Sequence, residues 1–288
     1  MSHVAGTIIA AFGRHYEVEL DSGASVTGFP LGKKSPYACG DRVELSLTAS
    51  DQGQILCHQP RTSLLYRSDT YREKLIAANA TQLLLVAATE PAFSDELLTR
   101  ALVAAEADQL RVVIVLNKCD LAQYLPAARA LLAPYAGMGY TVVELSAKND
   151  VSHLRPWLAG KASVLVGQSG MGKSTLINAL LPGALAATRE ISTALGSGKH
   201  TTTHARCYRL DAESTIIDCP GLQEFGLTHI SEAQIASAFP EFRPWLGQCR
   251  FRDCQHTAEP DCALKRAVKD GSISARRLEI FRRIIDSR

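Results

Sequence analysis

The chain has 288 residues, of which 46 % are hydrophobic and 21 % are charged, and its formal net charge is +2. This composition is typical of a soluble globular chain, and the length allows about two domains with a substantial core. The small net charge neither requires nor excludes an RNA partner.

The N-terminus and the cysteines indicate the cellular compartment. Residues 1–6 do not combine a charged start with a long apolar run, and no apolar stretch approaches the roughly 18 residues of a membrane span. Of the eight cysteines, three lie close together near the C-terminus and five are scattered. This distribution fits reduced thiols with one metal cluster better than a disulfide framework, so we expect a cytoplasmic protein without membrane association.

From about Val4 to Pro60, within the predicted domain 1–62, apolar and polar side chains alternate in the two-residue period of half-buried strands, most clearly at Tyr16, Val18 and Leu20. With turn signals between the strands, this segment predicts a small all-β barrel of the oligonucleotide-binding type. Such barrels bind RNA on one face. Residues 1–66 hold five Lys/Arg against six Asp/Glu, so composition alone leaves a purely structural barrel open.

Residues 63–229 are predicted to form an α/β domain with a parallel sheet, because apolar strand-like runs alternate with helical patterns after a linker around Arg61–Arg72. The predicted elements are a strand at Leu83–Ala88, a helix at Ser94–Asp108 with Ser94 as N-cap, a strand at Val112–Leu116, a helix at Pro126–Ala136 and a strand at Tyr140–Leu145.

A phosphate-binding loop is predicted where GxxxxGK[ST] stands between the apolar run Ser163–Val166 and the amphipathic segment Thr175–Leu181. Glycines let successive N–H groups point at phosphate oxygens. Lys173 would reach the β- and γ-phosphates and act in catalysis, and Ser174 would hold Mg²⁺. The predicted nucleotide-binding residues of this loop are Gly167, Gln168, Ser169, Gly170, Met171, Gly172, Lys173, Ser174 and Thr175.

Two further motifs predict a guanine site. Asn117-Lys118-Cys119-Asp120 ends a predicted strand, and an aspartate at that place can accept from both N1–H and the 2-amino group of guanine. Asn117 and Lys118 would brace the phosphate loop and cover the base. Ser146-Ala147-Lys148 ends the next strand and would frame the base. Alone, the first motif is better explained by a surface loop after a strand, and the second is a weak signal, but their placement relative to a phosphate loop favours GTP.

Two loops beyond the phosphate loop are predicted to sense the γ-phosphate. Asp218-Cys219-Pro220-Gly221 fits DxxG, in which Asp218 orients Mg²⁺ through water and the Gly221 N–H contacts the γ-phosphate. Thr202 is the predicted Mg²⁺ ligand from the other loop, with Thr201 and Thr203 as alternatives. An ordinary polar loop is the competing interpretation of these threonines.

Leu222 follows the DxxG glycine, at the place where Ras-like enzymes carry the glutamine that positions the attacking water. A leucine cannot do this, so we expect slow intrinsic hydrolysis. His200, beside the threonines, is the predicted catalytic residue, and Gln223 is the alternative.

Residues 230–288 are predicted to form a helical zinc-binding domain. Cys249, Cys254, His256 and Cys262 supply three thiolates and one imidazole, a closed set typical of structural Zn²⁺, with ordinary buried cysteines as the alternative. A domain this small would have little core without the metal, so chelation is expected to unfold it.

Helices are predicted at Ala263–Asp270 and Ser274–Ile285, the second with Leu278, Phe281 and Ile285 on its apolar face. Residues 240–288 hold eleven Lys/Arg against seven Asp/Glu, the best charge footprint for RNA phosphates in the chain, although a solvated helix face explains it equally well. The arginines predicted to point away from the apolar face are Arg276, Arg277, Arg282 and Arg283.

The motifs occur in the order NKxD, SAK, phosphate loop, threonines and DxxG, a circular permutation of the usual GTPase order. With this order between a barrel and a zinc-type cluster, the chain resembles the RsgA (YjeQ) family of GTPases. The resemblance implies binding of GTP, GDP and Mg²⁺, hydrolysis stimulated by the small ribosomal subunit and its rRNA, and release after hydrolysis late in subunit maturation. It also implies a catalytic switch histidine at His200, one Zn²⁺ at the four C-terminal ligands, and a monomer.

Two other functions remain open from the sequence. One is a GTP-dependent RNA-binding switch with little hydrolysis, which Leu222 favours, and the other is a GTPase of a different assembly pathway. Cys119 within the guanine motif and Cys219 within DxxG depart from the family pattern without removing a predicted ligand.

Overall fold

The computed structural model describes residues 3–32, 36–69, 72–183, 205–219 and 227–287, with the backbone alone for 67–69 and 72–74. The strands in these ranges are β1 His3–Ala11, β2 Tyr16–Leu20, β3 Ser25–Pro30, β4 Arg42–Leu47, β5 Gln52–His58, β6 Leu64–Asp69, β7 Arg72–Ala78, β8 Gln82–Ala88, β9 Arg111–Asn117, β10 Thr141–Glu144, β11 Ala162–Val166, β12 Arg206–Arg209 and β13 Thr215–Asp218. The α-helices are α1 Asp95–Ala107, α2 Leu125–Gly137, α3 Arg155–Leu158, α4 Lys173–Leu180, α5 Glu232–Ser237, α6 Ala263–Lys269 and α7 Ala275–Asp286. Short 3₁₀ helices cover Ser152–Leu154 and Pro240–Trp245.

The first five strands form a closed barrel in the order β1-β2-β3-β5-β4, because β4 pairs back with β1. Their alternate side chains point inward and make a core of their own, in which Ile8, Val18 and Ile55 are fully buried. This confirms the predicted N-terminal barrel.

The α/β domain contains a sheet in the order β10-β9-β8-β11-β13-β12. All its pairs are parallel except β12 with β13. Every residue of β8 is buried, as expected for a parallel strand covered on both faces. Parallel pairing brings the carboxyl ends of β8, β9, β11 and β13 to one edge, where the predicted motifs begin.

The linker predicted around Arg61–Arg72 is wrong, because most of it belongs to the antiparallel hairpin of β6 and β7. The hairpin inserts Leu65 and Ile76 into the α/β core. Charged residues at 67, 69 and 72–74 interrupt the apolar pattern of its strands near the turn, so the sequence indicates a linker there. Asn79 then ties the hairpin to the barrel. Its Nδ2 donates to the Gly40 carbonyl at 3.0 Å, and its Oδ1 accepts from the Thr62 N–H at 2.9 Å.

The C-terminal helices pack directly on the α/β domain and share its core. Phe239, Phe242 and Phe281 are at most 3 % exposed, and their rings contact one another. The C-terminal part therefore has more core than a separate domain of its size would have. Among the helices of the described ranges, none combines the length and apolarity needed to span a bilayer.

The arginine surface expected on α7 is wrong for Arg277, whereas Arg276 and Arg283 are exposed as predicted and Arg282 is half-buried. Arg277 is 6 % exposed and lies on the buried face, where it bonds Glu241 and Thr99. Arg276 and Arg283 pair with carboxylates of α1, and Arg282 donates to backbone carbonyls of the cysteine cluster. The four arginines bind within the protein because α1 and the cluster lie against this helix.

Candidate nucleotide and metal sites

A cavity of about 650 Å³ opens at the carboxyl edge of the parallel sheet. Its wall contains residues of the two predicted guanine motifs, of the phosphate loop and of DxxG. The lining residues are Asn117, Lys118, Asp120, Leu121, Ser146, Ala147, Lys148, Gly167, Ser169, Gly170, Gly172, Lys173, Ser174, Thr175 and Asp218. Segments that are far apart and permuted along the chain thus share one cleft.

Asn117 ends β9 and is 1 % exposed. Its Nδ2 donates to the Met171 carbonyl at 2.9 Å, and its Oδ1 accepts from the N–H groups of Lys118 at 2.8 Å and Ala147 at 2.9 Å. One side chain therefore holds the phosphate loop, its own motif and the Ser146–Lys148 motif together.

Lys118 and Asp120 form the adjoining wall. Lys118 has a left-handed backbone, with φ 62°, and its Nζ donates to the Glu90 carbonyl at 2.7 Å. Thr89 supports it by donating from its hydroxyl to the Lys118 carbonyl at 2.8 Å. Asp120 is exposed to the cavity, and the pKa of its carboxyl lies below the ordinary value chiefly because the Ser146 hydroxyl stands beside it. A low pKa keeps this carboxylate ionised as an acceptor.

The phosphate loop needs two of its glycines for space as well as conformation. A Cβ on Gly167, whose φ is 150°, would lie 2.3 Å from the Val86 carbonyl oxygen. A Cβ on Gly172, whose φ is 90°, would lie 2.4 Å from the Asn117 amide nitrogen. Gly172 is also the N-cap of α4, so the N–H groups of the first turn of that helix begin at the loop.

Lys173 lies folded over the phosphate loop. Its Nζ donates to the carbonyls of Gly167 at 2.5 Å and Gln168 at 2.9 Å, and burial lowers its pKa. The ammonium group is therefore half-buried at the cavity wall, where an anion would be well placed to bind it.

Asp218 ends β13 and is 6 % exposed. Burial raises its pKa to about 6, against the opposing influence of Lys173. Its Oδ1 has no hydrogen-bond partner among the described residues. A carboxylate with an unpartnered oxygen, together with the Ser174 hydroxyl in the same cavity, is an oxygen donor set that fits Mg²⁺.

Two predicted side chains do not line the cavity. Gln168 turns away, and its Oε1 accepts from the Ser94 N–H at 2.6 Å, while Met171 is 1 % exposed within the core. Leu121, by contrast, lines the cavity although no motif marked it. Of the remaining predicted residues, His200, Thr201, Thr202, Thr203, Gly221, Leu222 and Gln223 lie outside the described residues.

The cysteines inside the nucleotide motifs are poor nucleophiles. Burial raises the pKa of Cys119, whose Sγ lies 3.2 Å from the Leu116 carbonyl, and raises the pKa of Cys219 well above its ordinary value. Neither thiol is therefore favoured as a thiolate.

A second site is formed by Cys249, Cys254, His256 and Cys262, whose ligand atoms all lie within 4.8 Å of one another. The sulfurs of Cys249 and Cys262 are 3.9 Å apart, and His256 Nδ1 is 3.3 to 3.6 Å from the three sulfurs. Tetrahedral bonds of about 2.0 to 2.3 Å would place such ligand atoms about 3.5 to 3.8 Å apart. Burial lowers the pKa of His256, which favours the neutral imidazole that binds metals. This cluster could hold one metal ion.

A family model described as RsgA GTPase matches residues 58–228. The small ribosomal subunit biogenesis GTPase RsgA of Nitrosospira multiformis is 53 % identical over 282 residues, which cover 98 % of this chain and 90 % of the relative. The protein of the same name from Burkholderia pseudomallei is 53 % identical over 285 residues, which cover 97 % of this chain and 91 % of the relative.

Two solved structures are similar to this chain over nearly its whole length. The crystal structure of YjeQ from Thermotoga maritima superposes with a TM-score of 0.74 at 30 % identity and covers 99 % of this chain and 98 % of that one. YloQ, a circularly permuted GTPase, superposes with a TM-score of 0.70 at 27 % identity and covers 99 % of this chain and 95 % of that one.

Proposed function

The chain belongs to the RsgA GTPase family, and on that premise we propose that it acts in late maturation of the small ribosomal subunit. GTP hydrolysis follows from the family itself. The relatives' names supply the small subunit as partner. The protein would bind the subunit and its rRNA in the GTP state and leave after subunit-stimulated hydrolysis.

The observation that carries this proposal is the shared cleft. Asp120 and Lys173, which belong to motifs 53 positions apart and in permuted order, both line the 650 Å³ cavity. A nucleoside triphosphate needs its base and its phosphates recognised within one continuous site of this kind.

On the base side, Asp120 would accept from N1–H and the 2-amino group of guanine. Adenine lacks this pair of donors, so the ionised carboxylate discriminates between the two purines. The Lys118 stem and the Ser146–Lys148 segment would hold the ring in place.

On the phosphate side, the N–H groups of residues 167–175 would surround the phosphates, and Lys173 would exchange its two carbonyl partners for β- and γ-oxygens. Ser174 and Asp218 would hold Mg²⁺ with Thr202. When bound, Mg²⁺ neutralises charge that develops on the phosphate oxygens.

For the attacking water we propose His200 as the positioning group, since Leu222 cannot serve. Replacing His200 with Ala is expected to abolish subunit-stimulated turnover while leaving GTP affinity nearly intact. Stimulated phosphate release at the wild-type rate would contradict this role.

For the cysteine cluster we propose one structural Zn²⁺. Three thiolates and an imidazole occupy all four tetrahedral positions, which leaves none for a substrate.

The decisive experiment measures phosphate release from GTP and from ATP while isolated small subunits are titrated in. We expect slow release from GTP alone, strong stimulation by small subunits, and little release from ATP. Large subunits serve as the matched control, and Asp120→Asn should lose the preference for guanine. Equal rates on both nucleotides would overturn the base assignment, and equal stimulation by both subunits would overturn the partner.

A further inference from the structure

Gln168 belongs to the phosphate loop but points its side chain out of the nucleotide cavity. Its backbone carbonyl accepts from Lys173 Nζ at 2.9 Å, while its side-chain Oε1 accepts from the Ser94 N–H at 2.6 Å. The residue therefore contacts the phosphate-binding lysine through its backbone and the N-cap of α1 through its side chain.

The first turn of α1 is held in turn by the C-terminal helix. Arg276 makes a two-pronged contact with Asp95, with Nε and Nη2 each 2.8 Å from a carboxylate oxygen. Arg283 reaches Glu96 at 3.4 Å. Such bidentate contacts fix orientation as well as distance.

The α1 helix can transmit a displacement between these contacts because its first turn is rigid. Ser94 Oγ caps the helix by accepting from the Leu97 N–H, and the buried Arg277 donates to the Thr99 hydroxyl at 2.6 Å. A cavity of about 30 Å³ lies between Phe93 and Gln168, so the packing at this joint leaves room for a small shift.

We propose that Gln168 is a positioning residue through which the C-terminal helix sets the conformation of the phosphate loop. Contacts that a macromolecule makes with the tail would move Arg276 and α1, and Gln168 would pass the change to the carbonyl that holds Lys173. This inference rests on the proposed function, since it assumes that the cavity binds GTP. It adds a route from the tail to the nucleotide that does not use residues 184–204 or 220–226.

The test compares two ion pairs that join the tail to opposite ends of α1. Arg276–Asp95, with side chains 42 % and 29 % exposed, lies next to Ser94. Arg243–Glu106, with side chains 52 % and 24 % exposed, lies at the far end of α1, so Arg243→Gln is the matched control.

Affinity for a fluorescent GTP analogue is measured with the full chain. We expect Arg276→Gln to weaken it about two- to fivefold, the range expected for losing partly exposed ion pairs, here those with Asp95 and Glu279, and Arg243→Gln to leave it unchanged. Both variants should lower the thermal midpoint by similar amounts, which separates a general loss of stability from an effect on the loop.

A double-mutant cycle then tests the route. Gln168→Ala should weaken affinity at least as much as Arg276→Gln, and adding Arg276→Gln to it should cause no further loss. The proposal is overturned by additive effects of the two substitutions, by an unchanged affinity of Arg276→Gln, or by an equal loss in Arg243→Gln. Failure of the wild-type chain to bind GTP would instead overturn the proposed function.

Discussion

Asn117 makes three hydrogen bonds, and each of them joins parts of the site that a local pattern shows only as separate motifs. Its loss would leave the buried Met171 carbonyl and Ala147 N–H without their hydrogen bonds to this side chain. Unsatisfied buried groups cost about 1 to 3 kcal/mol each. The asparagine is therefore as much a structural brace as a nucleotide contact.

Replacing Asn117 with Ala is expected to lower the free energy of unfolding by about 2 to 4 kcal/mol even without nucleotide, and to weaken GTP binding further. Urea unfolding and nucleotide titration measure the two effects. Asn178→Ala, on the exposed face of α4, is the control and should change neither by more than about 0.5 kcal/mol. A stable Asn117→Ala protein with weak nucleotide binding would show that the side chain acts on nucleotide alone.

Asp218 presents the opposite case, a buried carboxyl that destabilises the nucleotide-free protein. Its pKa is about 6 in the folded state and lies near 3.8 unfolded, because burial disfavours the charged form. Below the unfolded value both states are protonated and the group has no effect. As the pH rises towards 6, the unfolded state gives up its proton first, so stability falls by up to about 3 kcal/mol and then stays level.

Asp218→Asn is therefore expected to unfold at higher urea than the wild type at pH 7.5 without nucleotide or Mg²⁺, with a smaller difference at pH 4.5. The same substitution should weaken Mg²⁺-dependent GTP binding, since an amide is a poorer ligand for the ion. Wild-type affinity in turn should fall as the pH drops through 6. If Asp218→Asn were less stable than the wild type at both pH values, burial of the charged Asp218 carboxylate would not destabilise the nucleotide-free protein.

At the scale of elements, α7 is held in place by contacts with distant segments, which cannot be predicted from the sequence of the helix itself. Its apolar spacing predicts one buried face, and the structure indeed buries Leu278 and Phe281. Arg277 is buried beside them because Glu241 and Thr99 neutralise and bond its guanidinium while the Phe239 ring packs against it.

Arg277→Ala is expected to lower the free energy of unfolding by roughly 3 kcal/mol, because it leaves the largely buried carboxylate of Glu241, 14 % exposed, without its charge partner. Arg266→Ala, on the exposed face of α6, should cost less than about 0.5 kcal/mol. Urea unfolding of the two variants measures the difference. If the Arg277 variant were as stable as the Arg266 variant, the interaction of Arg277 with Glu241 would not stabilise the fold, and the prediction would be wrong.

The same contrast explains what the sequence could predict. Strand β9 and the N-cap at Ser94 depend on local residue types, and both were placed correctly. The β6–β7 hairpin is local, but the charged residues at 67, 69 and 72–74 interrupt the apolar pattern of its strands near the turn. The burial of Arg277 depends on Glu241 and Thr99, 36 and 178 positions away, which a local pattern cannot show. Within the site, the motifs identified most residues of the cavity wall. The outward orientation of Gln168 could not be predicted, because it depends on where α1 lies in the fold.

At the scale of the whole molecule, one continuous sheet joins the barrel to the α/β domain. Strand β12 pairs with β13 on one side and with barrel strand β1 on the other, at Ala10 and Arg206. Arg206 also binds Glu17 of the barrel at 2.9 Å. The chain enters β12 directly after residues 184–204, so the predicted threonine loop lies next in sequence to the barrel contact.

The C-terminal part is attached differently, by a shared core, and this alters what metal removal should do. Chelation is expected to loosen residues 249–262 while α6 and α7 stay folded, because their apolar side chains are buried in the α/β core. Trypsin should then cleave faster at Arg250 and Arg252, which are exposed in the loop between the first two ligands. Far-UV circular dichroism and GTP affinity should change little.

Cys254→Ser should reproduce the effect of chelation without a chelator, and Cys57→Ser, which changes an exposed barrel cysteine, should not. If the metal instead supported the whole tail, chelation and Cys254→Ser would both melt α7 and free Arg276 from Asp95. That outcome would be seen as a large loss of helical signal. The shared core predicts the smaller change, because the energy that holds α7 comes from buried phenylalanines and ion pairs lying outside the cluster.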